Sequence, residues 1–282
     1  MDNKEIFLLT SSLFNIKDKN ILIKKENKNI LINNEHIQQF WVGLLEGDGT
    51  ITVDNPSNVN TLRIRLFISL LNLKENVEML TKIQEVIGGK IRIERRNKYI
   101  TWTTVKKNDV LKCLSILSKY PLLTYRKQLQ LAFANKCILN PDIKNFIKDR
   151  NEKYKNLNLI RKTYNLDNIP YFKGWLSGFI EAKGNFSLVL YPNKTSVKKS
   201  SFSIGQNDDL SILELIKAYF KSNNKIITYK KINKVGLKYH QLNLTGKDSR
   251  IFIKNHFNNK PLLGYKKISY SKWISHFYLN SY

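Results

Sequence analysis

Trp41-Val-Gly-Leu-Leu-Glu-Gly-Asp-Gly49 and Leu176-Ser-Gly-Phe-Ile-Glu-Ala-Lys-Gly184 are two versions of one stretch, and their pairing decides the fold. The matching glycines lie 178 − 43 = 135 residues apart, and the same interval separates Gly89-Lys-Ile91 from Asn224-Lys-Ile226. The chain is a tandem duplication. Its copies are not chemically equal: the position that is Asp48 in the first is Lys183 in the second.

Outward from these stretches each copy repeats one order of elements. In the first, residues 37–47 predict an apolar helix and 50–54 a strand, with Ile51 and Val53 on one face and Thr50 and Thr52 on the other. In 61–69, Leu62, Ile64, Leu66 and Ile68 alternate with Arg63 and Arg65, giving one buried and one wet, positive face. Residues 73–87 carry a helical stripe of Val77, Leu80, Ile83 and Ile87 closed by Gly88-Gly89. A hairpin over 90–95 and 99–105 and helices over 110–117 and 122–139 complete the copy. The second follows with helix 172–182, strands 186–191, 201–206, 226–231 and 238–244, and helices 210–221, 249–255 and 263–279. Pro121-Leu-Leu-Thr-Tyr-Arg126 and Pro261-Leu-Leu-Gly-Tyr-Lys266 close the copies alike. The expected architecture is α+β: two pseudo-symmetric αββαββα repeats forming a saddle of two four-stranded antiparallel sheets. The expected division is an N-terminal extension at 1–36, repeats at 37–139 and 169–282, and a polar, lysine-rich linker at 140–168.

Glycine within a helix costs about 1 kcal/mol relative to alanine, so Gly43 and Gly47 need a reason. They are four residues apart, on one face, and their counterparts Gly178 and Ala182 are also small. Close packing of the two helices along these faces would bring Asp48 and Lys183 together at the centre of the saddle.

Composition narrows the partner. The formal charge of +26, from 48 Lys and Arg against 22 Asp and Glu, implies a polyanion. No apolar run reaches the roughly 18 residues of a spanning helix, so a membrane is not the expected partner. Cys113 and Cys137 form no CxxC or Cys/His pair and read as small buried side chains. His36, His240, His256 and His276 are scattered and read as surface or groove residues. Residues 1–36 resemble neither a signal peptide nor a transit sequence. The wealth of Asn, Lys, Ile and Tyr suggests an AT-rich coding genome and hence an organelle, a mitochondrion ahead of a chloroplast.

Both motif stretches resemble the LAGLIDADG motif, and the resemblance extends from about residue 37 to the C-terminus. The chain is similar to single-chain, two-repeat LAGLIDADG homing endonucleases and intron maturases. That resemblance implies a monomer with an internal pseudo-twofold and a metal-dependent phosphodiesterase centre. The acid at the eighth motif position, here Asp48, would bind Mg²⁺ with the Gly47 carbonyl as a further ligand, oxygen donors that suit a hard cation. Lys183, in the second copy, cannot ligate a cation and could at most take its place against a phosphate. Glu181 belongs to a motif position that does not carry the metal. The family's water-ordering glutamine matches Gln206, where the first copy has Leu70, and the family's lysine matches Lys266, where the first copy has Arg126. Neither copy is complete.

The expected nucleic-acid contacts are Thr50, Thr52, Arg63, Arg65, Lys90 and Arg92 in the first copy and Ser187, Ser203, Lys238, Gln241 and Asn243 in the second. Arginine suits guanine and Gln or Asn suits adenine in the major groove. Lysines of 194–199 and of the linker would touch phosphates. Two functions follow from the resemblance: a group I intron RNA maturase with impaired double-strand cleavage, or a Mg²⁺-dependent endonuclease cutting or nicking a long double-stranded DNA target through Asp48. A structural basic protein of an organelle is a third.

Overall fold

A computed structural model describes residues 33–56, 61–104, 106–139, 144–155, 163–192, 197–230 and 238–279. Nearly all of the N-terminal extension lies outside this set, as do parts of the linker and the side chains of 194–199. In the first repeat, α1 (Asn34–Asp48), β1 (Gly49–Asp54), β2 (Arg63–Leu71), α2 (Lys74–Ile87), β3 (Lys90–Glu94) and β4 (Tyr99–Thr104) precede two closing helices, α3 (Lys107–Lys119) and α4 (Tyr125–Leu139). After α5 (Phe146–Glu152), the second repeat runs α6 (Phe172–Lys183), β5 (Gly184–Leu190), β6 (Val197–Asn207), α7 (Leu210–Tyr219), β7 (Ile226–Lys230), β8 (Lys238–Leu244), α8 (Lys247–Asn259) and α9 (Lys266–Leu279). The sheets are antiparallel, in the orders β1-β2-β4-β3 and β5-β6-β8-β7.

The strand alternation places Ile51, Val53, Leu66, Ile68, Ile100 and Trp102 in the core of the first repeat, and Phe186, Phe202, Ile204, Leu242 and Leu244 in that of the second. Gly88 and Gly89 end α2 at φ of 91° and 87°, a conformation that penalises other residues.

The repeats meet where α1 crosses α6. A Cβ on Gly43 would collide with the Trp175 carbonyl, one on Gly178 with the Phe40 carbonyl, and one on Gly47 with the Ala182 side chain. The small residues let the backbones touch, while Phe40, Trp41, Leu44 and Leu45 on one helix and Trp175, Leu176, Phe179 and Ile180 on the other are sealed around them. Their burial, at about 1.5–3 kcal/mol per large apolar side chain, outweighs the propensity cost of the glycines.

Three histidines differ from the surface reading. His36, His240 and His256 are buried. His256 lies between Ser177 Oγ at 3.0 Å and Tyr219 Oη at 2.9 Å, and burial drives its pKa down to about 3. It is a neutral core residue that ties α8 to α6. Cys113 and Cys137 are free and buried. Among the described residues no helix is long and apolar enough to cross a membrane.

The linker is also more than a polar spacer. Phe146 of α5 packs on Phe133 of α4 with ring centroids 5.9 Å apart, Lys136 pairs with Asp149 at 2.6 Å, and Tyr154 Oη accepts from Gln130 Nε2 at 2.8 Å. Among its charged residues stands an apolar anchor, Phe146, which is buried.

Candidate nucleic-acid interface and its central ion pair

Helices α1 and α6 each deliver their last residue to one point. Asp48 Oδ1 accepts a hydrogen bond from Lys183 Nζ at 3.0 Å, and both side chains are about a third exposed. The two positions are partners across the seam, and the lysine closes onto the carboxylate of its twin.

The preceding glutamates have another task. Glu46 is fully buried and accepts from the backbone N–H groups of Leu123 and Thr124 and from the Trp175 indole at 2.8 Å. Glu181 accepts from Gly264 N at 3.1 Å and Lys266 N at 2.9 Å. Each caps the approach to its repeat's last helix, whose first N–H groups have no intrahelical partner. Burial raises both carboxyl pKa values and the donated hydrogen bonds oppose it. The glutamates are therefore engaged in holding the last helices and are structural.

A hollow of about 510 Å³ adjoins the ion pair, lined by Gly47, Thr50, Thr52, Arg126, Lys127, Lys183, Gln206 and Asp209 among others. Gln206 therefore shares a hollow with Lys183. Gly49 pairs with Ile68 and Gly184 with Ile204, which makes Leu70 the register counterpart of Gln206. The first repeat's central cation is Lys127. Its Nζ donates to the Gly49 carbonyl, and burial lowers its pKa to about 8, helped by Arg126 and Lys183 and opposed by Glu46. Arg126, the sequence counterpart of Lys266, instead stacks 5.1 Å over the Tyr154 ring. Lys266 is half-buried with a lowered pKa, because burial outweighs the attraction of Glu181 and Asp48. Sequence reasoning missed Lys127 and Arg150, and named Lys153 only as one of the linker lysines; all three line the hollow. The signal was present only as an unplaced run of basic residues.

The donor set does not fit a divalent cation as it stands. Asp48 offers one carboxylate, one of whose oxygens holds an ammonium, and Lys127 and Lys266 add positive charge nearby. Among the described residues no group of three or more His, Cys, Asp or Glu could hold a metal.

Asp209 crosses from the second repeat to accept from Tyr125 N at 2.8 Å, while its Oδ1 is buried without a partner among the described residues. Burial raises its pKa to about 7, opposed by that hydrogen bond and aided by Glu46 and Asp208. The folded state thus keeps a proton that the unfolded state has released, so this group's stabilisation is full below about pH 4 and is lost as pH rises towards 7. Asp209→Asn keeps the acceptor and removes the titration. We expect it to gain at least about 1 kcal/mol on the wild type between pH 5 and 8, read from urea midpoints at each pH. A difference that does not change with pH would contradict this.

On the sheets, Thr50, Thr52, Arg63, Arg65, Lys90 and Arg92 share one face of the first, since Thr52 pairs with Arg65 and Lys90 and Arg92 pair with Thr103 and Thr101. Asp54 holds Arg65 at 2.8 Å and reaches Arg63 at 3.7 Å. On the second sheet Ser187, Ser203, Gln241 and Asn243 share the corresponding face. Lys238 does not. It is three residues from Gln241, and with a strand period of two it falls on the opposite face, with His240 and Leu242.

Two four-stranded sheets hung from a glycine-lined pair of helices, with one chemically distinct residue from each helix meeting at the centre, define the two-repeat LAGLIDADG class of protein. The LAGLIDADG endonuclease profile matches residues 41–138 and 176–277, and the chain belongs to this family. It is 36% identical over 250 residues to a probable intron-encoded endonuclease aI3 of Dictyostelium citrinum, covering 87% of this chain and 97% of that protein. A probable intron-encoded endonuclease aI3 of Debaryomyces hansenii is 34% identical over 275 residues, 86% of this chain, but the chain spans only 38% of that longer protein. Among solved structures, the I-LtrWI LAGLIDADG homing endonuclease bound to target DNA superposes with a TM-score of 0.64 at 19% identity, over 88% of this chain and 91% of that one. The meganuclease I-AabMI bound to uncleaved DNA gives 0.63 at 17%, over 86% and 90%. These two likenesses establish the fold.

Proposed function

We propose that this chain is a group I intron RNA maturase that retains a duplex-binding saddle and has lost double-strand DNA cleavage. The observation that carries the reading is the Lys183–Asp48 ion pair at 3.0 Å, which sets an ammonium where the resemblance calls for a second acid. An intact basic scaffold around a disabled centre fits a protein kept for binding. Duplex DNA as a partner is supported by the cationic face of the first sheet and by the solved relatives described as DNA-bound. The Asn-, Lys-, Ile- and Tyr-rich composition supports an organellar setting.

The purified chain is expected to accelerate splicing of the group I intron whose reading frame encodes it, and Asp48→Ala is expected to leave that acceleration unchanged. No acceleration by the wild type would remove the maturase reading. A second reading, DNA cleavage or nicking by the same chain, is favoured by the presence of Asp48 and the endonuclease names of the relatives. Mg²⁺-dependent double-strand cleavage by the unaltered sequence would establish it over the first.

A further inference from the structure

The two sheets carry unlike residues at several equivalent positions, although Arg63 and Lys90 are answered by Lys199 and Lys225. Trp102 and Leu242 occupy the same place in their sheets, each paired with the core strand residue Ile68 or Ile204. Ile91 and Ile226 lie opposite them, so Arg92 of the first sheet answers Ile227 of the second. By the same register Arg65 answers Ser201, and Thr101 and Thr103 answer Gln241 and Asn243. On the edge strand β7, Ile227 and Tyr229 are 43% and 44% exposed on the groove face. An aliphatic and an aromatic side chain two apart on a wet sheet face, beside paired amides, make an apolar reading surface in place of a solvated one.

The polar groups are set for opposite tasks. Arg65 is held by Asp54 at 2.8 Å, which fixes the fork that a guanine edge would meet. Gln241 Nε2 donates to Asn243 Oδ1 at 2.7 Å, leaving the Gln241 carbonyl and the Asn243 amide nitrogen, an acceptor and a donor side by side. That pattern complements the N6 amino group and N7 of adenine, and an exposed Ile227 beside it complements the methyl group of thymine.

We propose that the saddle reads a duplex of unlike halves: guanines facing Arg65 and Arg92 on the first sheet, and thymine-adenine steps facing Ile227 and the Gln241–Asn243 pair on the second. This rests on the duplex-binding part of the proposed function. The test is selection of bound duplexes from a randomised library by the full chain, followed by thymine-to-uracil replacement in the recovered site. The expected consensus is guanine-bearing in one half and thymine-rich in the other. Removing each contacted methyl should weaken binding about fourfold, the equivalent of ~0.8 kcal/mol per buried methyl-sized group, in that half alone. Ile227→Ser, at an exposed edge position, should abolish the thymine–uracil difference, and Arg92→Ala should relax the guanine preference. Halves of like composition, or a methyl effect that survives Ile227→Ser, would overturn the inference while leaving duplex binding in place. Recovery of no duplex at low salt would overturn the binding reading and this inference with it.

Discussion

On the proposed reading, Lys183→Glu is expected to confer Mg²⁺-dependent linearisation of a bound duplex that the unaltered chain leaves uncut on at least one strand. In the wild type the ammonium satisfies Asp48 at 3.0 Å, so the centre has no unmet demand for a cation. The substitution replaces attraction with repulsion. Two carboxylates about 4 Å apart repel by about 4 kcal/mol at an effective dielectric of 20, less where solvent reaches them, and a divalent ion relieves that repulsion. Lys127 and Lys266, both partly desolvated, remain beside the centre. A thermal upshift with Mg²⁺ in the variant and none in the wild type, together with linear product from a supercoiled plasmid carrying the selected site, would agree with this. Retained duplex binding with neither effect would show that the lost acid is not what silences the centre.

Gly178→Ala is expected to be among the most damaging glycine-to-alanine changes at the described residues. The added Cβ would sit on the Phe40 carbonyl, and its next neighbours, Phe40 C at 2.7 Å and Leu44 N at 2.8 Å, are also backbone. No rotamer change can relieve such a clash, so α1 and α6 must separate along a seam walled by Phe40, Leu44 and Trp175. Overpacking costs typically 1–3 kcal/mol where side chains can yield, and we expect at least about 3 kcal/mol here. That is a large share of the roughly 5–15 kcal/mol that holds a domain together. A fall in urea midpoint at unchanged slope measures it. A loss below about 1 kcal/mol would mean that the helices are not in backbone contact.

Much of the fold was legible because its signals are local. Alternation of Leu66 and Ile68 with Arg65, the stripe of Leu80, Ile83 and Ile87, and the glycines that end α2 each report a periodicity or a backbone requirement that no distant residue alters. The face of Lys238 follows from the same rule of two: three residues from Gln241, it takes the opposite face whatever its charge suggests. The buried histidines were not legible. His256 is polar by type, and only its hydrogen bonds with Ser177 and Tyr219, 79 and 37 residues away in sequence, make a buried imidazole tolerable.

The sequence by itself determined the duplication, the order of elements along each repeat, the basic face of the first sheet and the inequality of positions 48 and 183. Tertiary structure decided that Lys183 bonds to Asp48, that Lys127 joins Arg126 in the hollow beside that pair, and that part of the linker folds onto α4. The reason is reach. A lysine or arginine head group sits several ångströms from its Cα on a flexible stem, so the partner it finds depends on which helices have been brought beside it.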